Sequence, residues 1–292
     1  MKTFVTGSAG FIGRALGARL GEPFDALRFG DADWKASLAT ADLRGATIYH
    51  LAARVHEARA TPAQFEADNV AKTVALAKAA AAAGARRLVF LSTIKVTGEE
   101  TVTRPFTAQD EPRPRGPYAQ SKWQAEQALA ATAGLEWSIV RSPLVYGPGV
   151  GGNLRELMGL ADSPWPLPFA CTRNRRSFVH VDDLARLLVE CASKPAAAKA
   201  TFVAAHAEPL STARVLTEIR RALSRQPRLF CVPSQALELA AAIAGLGERM
   251  HRLTRSLEVD ASATSAALGW SAQVGFEQAV REMVRAYRQA LR

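Results

Sequence analysis

Val5-Thr6-Gly7-Ser8-Ala9-Gly10-Phe11-Ile12-Gly13 opens the chain's first legible unit and decides its fold. Residues 1–6 form a short apolar run that predicts a strand, and residues 12–20 continue as a helix with Ile12, Leu16 and Leu20 on one face. Between them Gly7, Gly10 and Gly13 repeat at three-residue intervals. Glycines allow a tight strand-to-helix turn and let backbone amides approach a phosphate at a helix N-terminus. The spacing therefore predicts a dinucleotide-binding loop, with a plain tight turn as the alternative reading. Phe11 and Ile12 fall inside the same loop.

A second strand is expected over residues 24–29. Asp31 and Asp33 follow it, about 20 residues past the last glycine, where an acid would take ribose hydroxyls and favour NAD. Arg28 stands at the same rim and could instead meet a 2′-phosphate, which would favour NADP. The two acids tip the reading to NAD, with NADP open.

Farther along, Arg87-Leu88-Val89-Phe90-Leu91-Ser92-Thr93 reads as a buried parallel strand that delivers the Thr93 hydroxyl to its carboxyl end. Tyr118 and Lys122 then stand four residues apart in Gly116-Pro117-Tyr118-Ala119-Gln120-Ser121-Lys122. On a helix they share one face, so the ammonium is expected to favour the ionised phenol. A phenol titrating near pH ~10 is otherwise a poor base at neutrality. Such a pair also occurs by chance in helices where the ring packs and the lysine is solvated.

Strands alternate with helical patterns up to about residue 141, including an alanine-rich helix over residues 70–83, which predicts a doubly wound parallel α/β sheet. Glycine- and proline-rich stretches at 147–152 and 164–168 predict loops over the rim. The expected division is a dinucleotide-binding part over residues 1–145 and 179–200, with a helix at 181–192. A smaller, discontinuous substrate lobe takes residues 146–178 and 201–292.

The chain has 292 residues, 48% of them hydrophobic, which is enough for one enzyme-sized unit and unlike a disordered chain. Cys171, Cys191 and Cys231 are isolated and lack metal spacing, so a reduced cytoplasmic protein with neither disulfides nor zinc is expected. Residues 236–246 are apolar but too few to span a bilayer, and they include Glu238. Net charge is +10, and residues 214–255 hold eight arginines against Glu218, Glu238 and Glu248. This basic lobe could draw in an anionic substrate or touch an acidic membrane surface. No zinc-finger or RNA-stacking signature accompanies it, so nucleic-acid binding is not expected.

Taken in order, the segments Thr6-Gly7-Ser8-Ala9-Gly10-Phe11-Ile12-Gly13, His50-Leu51-Ala52-Ala53, Asp68-Asn69-Val70, Ser92-Thr93 with Val96 and Gly98, Tyr118 to Lys122, Arg141-Ser142-Pro143-Leu144-Val145-Tyr146-Gly147-Pro148, Arg176-Ser177-Phe178-Val179-His180-Val181-Asp182-Asp183 and Leu268-Gly269-Trp270 resemble the extended short-chain dehydrogenase/reductase family. That family comprises nucleotide-sugar epimerases, dehydratases and ketoreductases. The resemblance implies Thr93, Tyr118 and Lys122 as the catalytic set. It also implies Leu51, Ala52 and Ala53 along the cofactor and Pro143 close to the nicotinamide.

By the same resemblance Arg176 and Arg252 fall at positions that contact a substrate diphosphate, although either could be one of the many solvated arginines. Asn153 could orient the nucleotide or serve turn geometry, and Lys95 could reach the sugar or point to solvent. Ile94-Lys95 replaces the Asp-Glu pair that follows the catalytic Thr in the family's 4,6-dehydratases, so dehydration is not expected. Leu144 replaces an Asn of many sugar-nucleotide members.

The implied activity is NAD(P)-dependent 4-epimerase or 4-ketoreductase chemistry on a nucleotide-activated hexose of the UDP class, serving surface-polysaccharide precursors, in a homodimer. A ketoreductase of a steroid- or flavonoid-type substrate and a non-catalytic dinucleotide sensor or scaffold are the alternatives.

Overall fold

Alternation along the strands sets the layers. The computed structural model describes residues 2–30, 32–55 and 60–291. Its main sheet runs β2-β1-β3-β4-β5-β8, every pair parallel. The strands are β1 (Thr3–Thr6), β2 (Asp25–Leu27), β3 (Thr47–His50), β4 (Arg87–Thr93), β5 (Trp137–Ser142) and β8 (Ala200–Val203). A two-stranded parallel sheet pairs β6 (Leu144–Tyr146) with β7 (Phe178–His180).

Val5, Tyr49, Val89, Leu91 and Val140 face one side of the main sheet, where α1 (Phe11–Leu20) and α7 (Val181–Ser193) pack. Phe4, Ile48, Leu88, Phe90 and Ile139 face the other side. That face is covered by α2 (Trp34–Ala39), α4 (Lys72–Ala83) and α5 (Gly116–Ala130), and the short α3 (Pro62–Phe65) packs against α5. The period-two pattern thus buries both faces, as a parallel sheet requires. Alanines of α4 let it sit close, with Leu76, Ala77 and Ala80 fully covered.

Strand order reverses between β1 and β3, which makes that edge the topological switch point. A buried polar chain fixes it. Thr6 Oγ1 lies 2.7 Å from His50 Nδ1, and His50 Nε2 lies 2.9 Å from Thr73 Oγ1. Burial, aided by the Lys122 charge, pushes the His50 imidazole down to about 3, so it stays neutral.

The lobe is built by α6 (Gly152–Ala161), α8 (Thr212–Ala222), α9 (Ser234–Ile243), α10 (Gly247–Thr254) and α12 (Phe276–Gln289), around Leu154, Met158, Phe169, Leu216, Ile219 and Met283. The expected boundary at residue 200 falls inside the fold of the sheet, because β8 pairs with β5. Likewise α11 (Ser262–Leu268) and Trp270 return to the sheet's core. Trp270 donates its indole N–H to the Asp183 carbonyl at 3.1 Å, which gives the Leu268-Gly269-Trp270 segment a packing role.

The expectation of three unpaired cysteines is corrected. Cys171 and Cys231 form a disulfide across a sequence separation of 60, and Cys191 is free and buried. The segments before them run side by side, with Leu167 bridging Leu229 and the Phe230 amide donating to the Leu167 carbonyl at 3.0 Å. Spacing along the chain could not reveal that pairing. Among the described residues no helix is long and apolar enough to cross a membrane, and no group of side chains could hold a metal ion.

Candidate active site

The glycine loop leaves β1 at the switch point and packs against the segment that follows β3. Gly7 has φ +71°, and a Cβ there would stand 2.8 Å from the Ala52 amide nitrogen. A Cβ on Gly13 would stand 2.2 Å from the Gly7 carbonyl oxygen. Both positions therefore exclude a side chain for steric reasons. Gly10 caps α1 with extended backbone and no side-chain capping bond, leaving the amides of the first turn, including Phe11, Ile12 and Gly13, aimed beyond the helix end. The amides of Leu51 and Ala52 each donate to Thr6 Oγ1 at 3.1 Å, and Ala53 follows directly.

These features fit a bound dinucleotide: an unblocked helix N-terminus, loop glycines without room for Cβ atoms, and a switch-point crevice. Arg14, which the sequence reading passed over, braces the loop through its bond to the Ala9 carbonyl at 2.6 Å. Asp33 is exposed at the start of α2, past β2. Asp31 lies outside the described residues.

Tyr118 sits in the first turn of α5 and Thr93 at the carboxyl end of β4, and both line one cavity of about 600 Å³. Burial pushes the Tyr118 phenol up to about 12, opposed by its hydrogen bond with the Thr93 hydroxyl. Lys122, one turn farther along α5, is buried beneath the cavity with Nζ 3.8 Å from the Phe90 ring centroid. Burial pulls its ammonium down to about 7, against the pull of Glu126. The expected lowering of the phenol by the lysine is thus not what the protein groups alone produce. Desolvation raises the phenol, and the opposing pull comes from Thr93 and not from the lysine.

Tyr118, Lys122 and Glu126 recur every fourth residue along α5, and Glu126 anchors that stripe. Its carboxylate accepts from Arg141 Nη2 of β5 at 2.7 Å and from the Ser92 hydroxyl of β4. Both partners are nearly fully buried. The sequence reading missed this clamp, although Glu126 at the next helical repeat was its signal. Asn69 adds a second brace, donating from Nδ2 to Ser121 Oγ at 3.0 Å and to the Arg54 carbonyl at 3.0 Å. It lies in a π-helical turn, Glu66–Ala71, a distortion frequent at functional sites.

The same cavity gathers Lys95, Pro143, Leu144, Asn153, Arg176 and Arg252. Lys95 pairs with Glu99 at 3.0 Å. Arg176 donates from Nη1 to the Arg255 carbonyl at 3.0 Å. Burial pushes its guanidinium down to about 10, with Glu99 raising it and the nearby Arg252 lowering it. The two guanidinium groups therefore share the cavity lining and repel each other, partly offset by Glu99. Glu156 and Arg249 also line the cavity, together with apolar walls from Leu157, Phe169, Val215 and Met250. Composition gave no sign of these wall residues, because α6, the 167–169 segment and α8 are brought together only by the lobe.

Residues 3–205 match the NAD dependent epimerase/dehydratase family. The chain belongs to this family. Among relatives of this NAD-dependent family, a "UDP-glucose 4-epimerase" of Vibrio cholerae is 36% identical over 252 residues, which cover 83% of this chain and 77% of that protein. Two solved structures share the fold. The UDP-glucose 4-epimerase of Thermotoga maritima with UDP-glucose aligns at TM-score 0.79 and 19% identity over the whole of both chains. DesIV, a dTDP-glucose 4,6-dehydratase of Streptomyces venezuelae with NAD and TYD bound, aligns at TM-score 0.80 and 24% identity over 99% of this chain and 97% of that one. At these identities the two structures speak for the epimerase/dehydratase fold alone, so this fold also hosts dehydratases.

Proposed function

We propose that the protein is an NAD(P)-dependent enzyme acting at C4 of a nucleotide-activated hexose of the UDP class, as a 4-epimerase or 4-ketoreductase. The observation that carries this reading is one cavity holding the Thr93–Tyr118 hydroxyl pair and the Arg176–Arg252 cations. The hydroxyls suit a sugar oxygen that gains and loses a proton, and the arginines suit a diphosphate. Tyr118 exchanges the proton with the oxygen at C4, and Thr93 holds that oxygen by a hydrogen bond. Lys122 places positive charge under the helix turn that carries Tyr118. Lys95 and Asn153 contact the sugar or nucleotide.

The amides of Gly7, Gly10, Phe11, Ile12 and Gly13 would hold the dinucleotide, with Asp31 and Asp33 on its ribose. Leu51, Ala52, Ala53 and Pro143 would flank it, and the bound group supplies the hydride acceptor and donor. Dehydration is disfavoured here because Ile94 is buried in an apolar cluster and Lys95 follows it, leaving no acid pair next to Thr93. A homodimer supplying surface-polysaccharide precursors is the setting that fits the resemblance, while the Cys171–Cys231 disulfide removes the ground for expecting a reduced cytoplasm; the mass in solution tests the dimer.

The deciding experiment incubates purified protein with UDP-glucose and UDP-N-acetylglucosamine and follows C4 configuration by NMR. Interconversion without added dinucleotide identifies the epimerase, whereas NADPH-dependent consumption of a 4-keto sugar identifies the reductase. Absence of both removes the proposal. The apolar walls favour one second reading, a ketoreductase of an apolar substrate. Unchanged substrate affinity in Arg176→Ala would select it.

A further inference from the structure

Helix α9 is apolar on both sides. Leu237 and Ala241 turn into the lobe's core, while Leu239 is 66% and Ile243 is 83% exposed on the opposite face. Its polar residues, Ser234, Gln235 and Glu238, leave that outer face apolar, and an exposed apolar helix face is ordinarily covered by something. Leu246, 47% exposed at the turn into α10, extends the same stripe. Trp165 at 74% and Phe230 at 48% are exposed as well, on the two paired segments that precede the disulfide. Leu246 and Leu160 belong both to this surface and to the cavity wall, so the patch borders the cavity's mouth.

Cations flank the patch. Arg228 and Arg249 are exposed, and among the described residues neither forms an ion pair with a carboxylate. Of the acids in this part of the lobe, Glu238 is taken by Arg255 at 2.7 Å and by the Thr254 hydroxyl, and Glu156 and Glu248 remain. An apolar stripe edged by unneutralised arginines matches the interface of an anionic bilayer, acyl chains meeting the stripe and phosphates meeting the guanidinium groups. A second copy is a poorer match, because a two-fold contact would crowd two sets of these cations into one interface. Ten residues of helix span about 15 Å, half the hydrocarbon thickness, so α9 can lie on a membrane and not cross it.

We propose that the α9–α10 hairpin, with Trp165 and Phe230, docks the protein on anionic lipid surfaces and sets the cavity's mouth against them. The reaction assigned above is not needed for this inference. The test is flotation of the full chain with vesicles of phosphatidylcholine alone and of phosphatidylcholine mixed with phosphatidylglycerol. The expected result is partition onto the anionic vesicles only, weakening as salt rises, with a blue shift of tryptophan emission that Trp165→Phe abolishes. Leu239→Asp/Ile243→Asp should weaken partition by about tenfold or more while dinucleotide binding and thermal unfolding stay as in the parent. Retained folding is what makes that comparison decisive. Absence of partition, or partition indifferent to the double substitution, overturns the proposal. So does a double variant whose measured change is a smaller mass in solution, since the face would then join copies of the chain.

Discussion

The glycine-loop crevice and the lobe cavity are built on opposite principles. Around the crevice, contacts are polar or backbone and short in sequence reach: Gly7 against Gly13, and an unblocked helix end. Thr6 reaching His50 and Ala52, and Gly7 packed against Ala52, span farther. Around the cavity, apolar walls and cations come from segments as distant as Lys95, Arg176 and Arg252. The crevice has one geometry that its sequence repeats, as suits a shared carrier. The cavity's shape depends on how four stretches pack, as suits a part that changes with the substrate.

The strongest way to break this contrast is Tyr118→Phe, at the seam between the two regions. Turnover should fall by about 10³-fold or more, with the dinucleotide Kd within about twofold of the parent. Lost dinucleotide binding would mean that the regions are not separable. Next in size, Arg141→Met leaves Glu126 as an uncompensated buried charge and should cost about 3–5 kcal/mol in chemical denaturation. Glu126→Leu combined with it should restore most of that loss, and failure to do so would assign the damage to packing.

Gly13→Ala and Arg176→Ala sharpen the division as a pair. The first forces a Cβ against the Gly7 carbonyl and should weaken the dinucleotide by about tenfold, leaving the KM for the sugar nucleotide in place. The second should raise that KM by about tenfold and leave the dinucleotide unchanged. Crossed effects in calorimetric titration would sink the separation.

The smallest effect is a pH slope. Lys122 titrates near 7 when folded and near 10.4 when unfolded, so between those values the unfolded chain binds the extra proton. Stability of the dinucleotide-free protein should therefore rise from about pH 7 to 10, its penalty being complete below the folded value. Lys122→Met should flatten that rise in thermal melts. A slope that persists in the variant would place its origin elsewhere.

What the sequence made legible follows the same contrast. β4 ends where its apolar run ends, at Thr93, and α1 follows the glycine turn, starting at Phe11 with Gly13 already inside it, because those signals are local. The i, i+4 spacing correctly put Tyr118 and Lys122 on one helix face, yet not the sign of the phenol's shift, which depends on how much water α5 loses on packing over Phe90. The disulfide, the Arg141–Glu126 clamp and the place of β8 in the main sheet all join residues that only the finished topology makes neighbours. Leu157 and Val215 as cavity walls belong to the same class.

The chain's route carries one more consequence. It leaves the main sheet after β5, returns at α7 and β8, departs again for α8 to α10, comes back at Trp270, and finishes among the lobe's helices in α12. Neither half can be excised by a single cut. Calorimetry should record one cooperative melting transition, and a nick in any connecting loop should leave the fragments associated.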